Sequence, residues 1–146
     1  MSGFSDVEVL AIIRDADNDA KAAFKSISNI LRKEGLKPGT KVTQFSDGIP
    51  KIGIFIMPGN SDAGMLEDLC LKTVENHPAM DCVRTFTNCI SELEESPNNI
   101  VKAKAQAFLA AMPELANSVG VGAQKGYWNF KSEELTDLKS FIGNLR

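Results

Sequence analysis

The run Val7 to Ile13, mostly branched and apolar, leads without a break into Asp15, Asp17 and Asp19, and the chain then takes up a helical pattern at once. No other feature limits the fold as much. An apolar run without polar alternation reads as a strand buried on both faces, the kind found inside a parallel sheet. From Asn18 onward Ala20, Ala23, Phe24, Ile27, Ile30 and Leu31 recur at helical spacing until Gly35 and Pro38 end the pattern. "KVTQF" then allows a short strand, and "KIGIFIMP" a stronger one that stops at Pro58 and the turn-forming "PGNSDAG". Strand, helix and strand in this order require a crossover and hence parallel pairing.

Beyond Gly64 the pattern is helical. "GMLEDLCLKTV" is one helix, and the stripe Met80, Val83, Phe86, Ile90, Leu93 marks a second. Val101, Ala105, Phe108 and Met112 mark a third, and Leu135, Leu138, Ile142 and Leu145 a last one after "KGYWNF". The expected architecture is α/β: a small, mostly parallel, Rossmann-like sheet of about three strands, followed by a helical C-terminal part. The expected division is an α/β part over residues 1–60 and a mainly helical part over 61–146, in one domain, since 146 residues suit a single core.

No apolar run approaches the roughly 20 residues of a membrane span, and the N-terminus carries no secretory pattern. The expected setting is the cytoplasm, with no membrane. Cys70, Cys82 and Cys89 lack C-x-x-C spacing and fall on or beside apolar helical faces, so they read as reduced core thiols. A net charge of -3 argues against a generic nucleic-acid coat and leaves room for a local basic patch. One histidine, His77, gives histidine triads and multi-histidine zinc sites little to work with.

The acidic cluster has two readings. Asp17 or Asn18 can cap the helix that follows while Asp19 sits by its positive end, each effect contributing about 0.5–1 kcal/mol. Capping leaves Asp15 unexplained. Strand alternation would put Asp15 on the same side as Asp17, about 6–7 Å apart along the backbone. With charges about 5 Å apart, repulsion is about 3 kcal/mol at an effective dielectric of 20 and under about 1 kcal/mol in water. A partly buried pair therefore needs a proton or a hard cation such as magnesium or manganese. A calcium loop counted from Asp15 fails, because Ala20 replaces the required glycine and Ser26 the required glutamate. Open parallel sheets collect ligands at the carboxyl ends of their strands, which is where "DADND" and "PGNSDAGMLED" would lie. Asn60, Glu67 and Asp68 thereby join Asp15, Asp17 and Asp19 as candidates, although the two acids of the helix start also simply favour its dipole.

Taken together, "LAIIRDADNDAKAAFKSI", "KIGIFIMPGNSDAGMLEDLCL" and "KAKAQAFLAAM…KGYWNF" resemble the C-terminal two thirds of a bacterial and archaeal family of unknown function. That family is related to the Toprim domain of topoisomerases, primases and overcoming-lysogenization-defect nucleases. The resemblance implies that Asp15 and Asp17 are a magnesium-binding D-x-D, with Glu67 a third contributor and Lys125 a partner for phosphate. It implies a magnesium-dependent, nuclease-like, phosphodiester-processing domain acting on nucleic acid. Toprim domains carry a glutamate on an earlier strand. Glu8 cannot replace it, being seven residues before Asp15 on one strand and so more than about 20 Å away. The expectation is thus a truncated Toprim-like domain, with a non-catalytic interaction or scaffold module as the alternative. The missing neighbour would leave a sheet edge that a second copy can fill, giving a homodimer.

Overall fold

The computed structural model describes residues 6–145. The chain divides into two compact units, one formed by residues 1–66 with 136–146 and the other by residues 67–135. Among the described residues there are two strands and six α-helices.

In the first unit β1 (Val9–Asp15) and β2 (Lys51–Met57) pair in parallel, Val9 beside Lys51 and Asp15 beside Met57. The crossover helix α1 (Ala20–Lys33) lays Ala20, Ala23, Ile27 and Leu31 against Ile52, Ile54 and Ile56, with Leu10 and Ile12 of β1 at the margin. The strand–helix–strand order and the parallel pairing expected from the sequence are therefore present. The last helix, α6 (Thr136–Gly143), belongs to this unit too. Its buried Phe141 stacks on Phe45 with ring centroids 5.1 Å apart and tilts against Phe55 at 5.5 Å. Gly53 makes room for this cluster, since a Cβ there would lie 2.6 Å from ring atoms of Phe45.

Two expectations change. Among the described residues the sheet has two strands rather than about three, because "KVTQF" is not a strand: Thr43, at φ 62°, breaks the extended backbone. That segment instead closes the outer edge of β2 by single bonds, from Thr43 N–H to the Ile54 carbonyl (2.8 Å) and from Ser46 N–H to the Ile52 carbonyl (3.1 Å). The strand buried on both faces is β2, in which every residue from Ile52 to Met57 is buried. β1 is only half-buried and Ile13 is 43% exposed, because β1 has no described strand on its far side.

The second unit is helical: α2 (Leu66–Thr73), whose first residue lies in the first unit, then α3 (Ala79–Ser91), α4 (Ile100–Ala110) and α5 (Val119–Gln124), ending in a 3-10 turn at Glu133–Leu135. Its core centres on Phe108 and Leu109, both fully buried. Trp128 stacks on Phe108 at 5.1 Å and donates its indole N–H to the Val119 carbonyl at 2.9 Å. Gly122 allows that packing, because a Cβ there would meet Leu109 at 2.5 Å and the Trp128 indole nitrogen at 3.1 Å. Of the three expected core thiols only Cys70 is buried. Cys82 and Cys89 are exposed, since α3 turns Met80, Val83 and Thr87 inward and these thiols lie off that face.

Candidate functional site

Both strands of a parallel pair end on the same side, so the segments after Asp15 and Met57 start as neighbours. The ladder runs one residue further, through the Ala16 N–H to the Met57 carbonyl at 3.0 Å. Asp17 and Gly64 then exchange both backbone hydrogen bonds, at 2.9 and 2.7 Å, in an isolated antiparallel bridge. Asp15 adds a side-chain tie: its Oδ1 accepts from the Leu66 N–H at 2.9 Å, where α2 begins. "DADND" is thus tied to the end of β2 through Met57, to the loop of residues 58–65 through Gly64 and to the start of α2 through Leu66.

Asp17 does not continue the strand. At φ 53° it occupies the left-handed region that aspartate tolerates better than most residues, so the expected alternation stops at Asp15. The cap also falls elsewhere than expected: Asp19, not Asp17 or Asn18, is the N-cap of α1, its Oδ1 accepting from the Ala22 N–H at 3.0 Å. Asp17 is thereby left over. Its exposed carboxylate has no partner among the described residues.

Asn60 is committed to β2. At φ 68°, its Oδ1 accepts from the Ile56 N–H at 2.8 Å while its own N–H donates to the Ile56 carbonyl at 2.7 Å, which seals the end of that edge. Asp15, Asp17, Asp19 and Asn60 belong to the first unit; Glu67, Asp68 and Lys125 belong to the second. Glu67 and Asp68 are half-buried in the first turn of α2. Burial, with the Glu67 charge as a lesser cause, pushes the Cys70 thiol up to about 11. Lys125 forms an ion pair with Glu114, whose hydrogen bond raises the lysine's pKa and lowers that of the glutamate.

Among the described residues no three or more His, Cys, Asp or Glu side chains come together in a way that could hold a metal ion. What the first unit offers a cation is narrower: the second oxygen of Asp15 and the carboxylate of Asp17. Such a pair suits magnesium, which is often held by one or two carboxylates with waters or phosphate oxygens filling its octahedron. It does not suit a dedicated protein cage. Gly64, the partner of Asp17, was absent from the sequence candidates; its signal was a glycine between the loop and the helix start, here at φ 133°.

A family model for proteins of unknown function, DUF3226, matches residues 2–146. The chain belongs to that family. No curated protein and no solved structure matches it. The family's span takes in both units, and so all seven candidate residues. No described helix is long and apolar enough to cross a membrane.

Proposed function

We propose that the chain is a Toprim-like, magnesium-dependent phosphodiester-processing domain, nuclease-like and cytoplasmic, with Asp15 and Asp17 as its metal-binding pair and nucleic acid as its substrate. The observation that carries this reading is the position of Asp15 and Asp17 at the carboxyl end of a parallel pair, in a segment tied to the loop after the second strand at Gly64 and to the helix start beyond it at Leu66. This is the side on which open parallel sheets collect ligands. When bound there, magnesium or manganese would polarise a phosphoryl oxygen and make water a better nucleophile.

The chain's own residues would do the holding. The Leu66 amide fixes the Asp15 carboxylate while leaving its second oxygen available, and Asp17 reaches solvent from a backbone pinned by Gly64. Glu67 as a further contributor and Lys125 as a partner for phosphate rest on the resemblance to Toprim-related proteins alone. Lys125 would have to exchange its bond with Glu114 for one with phosphate. The test is cleavage of end-labelled DNA and RNA with magnesium, manganese or chelator, using Asp15→Asn and Asp17→Asn. Cleavage that ignores the metal, or survives both substitutions, removes the reading.

A second reading has its own observation. Residues of β1 alternate, and the bonds from Lys51 N–H to the Glu8 carbonyl (2.8 Å) and from Ala16 N–H to Met57 show that its even-numbered residues face β2. The amides and carbonyls of Val9, Ala11, Ile13 and Asp15 therefore face away and have no partner among the described residues. We read this edge as the pairing surface of a symmetric homodimer, which a non-catalytic interaction or scaffold module would also need. Light scattering decides, with a mass of twice 15.8 kDa expected and a clean monomer at micromolar concentration against it. A dimer that cleaves nothing leaves the module as the function.

A further inference from the structure

The second unit contains a cleft that the reading above does not use. It measures about 380 Å³ and is walled by α2, α3 and α4. That is near the lower end of the ~300–1,000 Å³ range of small-molecule sites, room for one compact ligand. Each helix contributes a cation: Lys72 from the last turn of α2, Arg84 from α3 and Lys104 from α4. Three cations on one cleft are notable in a chain whose net charge is -3.

Their states differ. Arg84 is anchored by Asp81 at 2.6 Å, which orients the guanidinium and leaves its other N–H groups for a ligand. Lys104 is half-buried and Lys72 exposed, and neither forms an ion pair among the described residues. Lys104 and the outward N–H groups of Arg84 are thus the cationic donors on which an anion in the cleft could settle.

The rest of the lining narrows the anion. Ile100 and Val101 form the accessible apolar wall, backed by the buried Leu71 and Met80. Asn88 offers an amide able both to donate and to accept. Asp68 and Glu75 also line the cleft. Two carboxylates disfavour a polyanion such as a nucleic-acid strand, and Glu75 would accept from hydroxyl or amino groups. The fitting ligand therefore has one phosphate, a flat body that tolerates apolar contact, and hydrogen-bond donors distant from the phosphate. We infer that this cleft is a binding site for a nucleoside monophosphate, its phosphate met by Arg84 and Lys104 and its base lying against Ile100 and Val101.

The inference stands apart from the metal reading, and the experiment keeps the two separate by working in chelator. Full-length protein is titrated calorimetrically with adenosine 5′-monophosphate, adenosine and inorganic phosphate in turn. The monophosphate should bind more tightly than either fragment, and more weakly as salt rises. Lys104→Ala and Arg84→Ala should each reduce affinity about tenfold, as expected on losing one charge-assisted hydrogen bond at a partly exposed site. Asp15→Asn should leave it unchanged. Thermal melts of each variant confirm folding, and Lys104→Gln, which keeps the stem without the charge, should behave as Lys104→Ala does. No heat with the monophosphate at millimolar concentration, affinity equal to that for phosphate alone, or binding indifferent to Lys104 and Arg84 overturns the inference.

Discussion

Substituting Gly53 by alanine should cost far more than one methyl group suggests. The new Cβ would lie 2.6 Å from two carbons of the Phe45 ring and 2.8 Å from a third, well inside contact distance. The ring cannot simply slide away, because its other face is stacked on Phe141, which in turn rests on the fully buried Phe55. Overpacking of this kind typically costs about 1–3 kcal/mol, and losing the Phe45–Phe141 stack about 0.5–1.5 kcal/mol more. A total of about 1.5–4.5 kcal/mol corresponds to a fall in Tm of about 4–18 °C for a chain of this size. Circular dichroism melts and urea titrations of Gly53→Ala measure it. The same change made in Phe45→Ala should cost almost nothing, because the clashing ring is gone. A Gly53→Ala protein as stable as its parent, or an equal cost in both backgrounds, would show that the aromatic cluster does not sit on β2 as described.

Thiol labelling at pH 8 should modify Cys82 and Cys89 quickly and Cys70 only on unfolding, given its burial and raised pKa. That shift also sets a pH dependence. The folded value near 11 exceeds the ordinary 9.0, so the stability Cys70 contributes is complete below pH 9 and is lost as pH rises toward 11, measurable as a falling urea midpoint in the parent that Cys70→Ala lacks. Asp19→Ala should destabilise the chain by about 1 kcal/mol through loss of the α1 cap, whereas Asp17→Asn, which keeps a residue tolerant of the left-handed backbone there, should not. Equal losses from the two would reverse the assignment of the cap.

The crossover unit was legible because its signals are local and agree: an apolar run, a helical stripe over Ala20–Leu31 and a second apolar run ending at Pro58. Most helix positions followed from the same periodicity, although the short α5 carries two glycines in six residues and shows no stripe. What local pattern cannot supply is the number of neighbours a strand has. Val7–Ile13 reads as doubly buried, yet among the described residues only β2 lies beside β1, while the equally apolar β2 is enclosed on both faces. Backbone handedness was equally hidden, and the left-handed Thr43 turned a plausible strand into an edge-closing turn. In the acidic cluster, composition marked the right segment but not the division of labour. Asp15 braces Leu66, Asp19 caps α1 and Asp17 remains unengaged, distinctions set by contacts up to 51 residues apart in the chain.

The central claim is that Asp15 and Asp17 hold a divalent cation at the end of β1. Manganese titration followed by electron paramagnetic resonance tests it directly, comparing the parent with Asp15→Asn. That variant keeps an oxygen able to accept from the Leu66 amide, so the local fold should be preserved while a charged ligand is removed. Weak binding of one ion by the parent, displaced by magnesium and reduced at least about tenfold in Asp15→Asn, is the predicted result. No bound manganese at millimolar concentration, or equal binding by parent and variant, would contradict it.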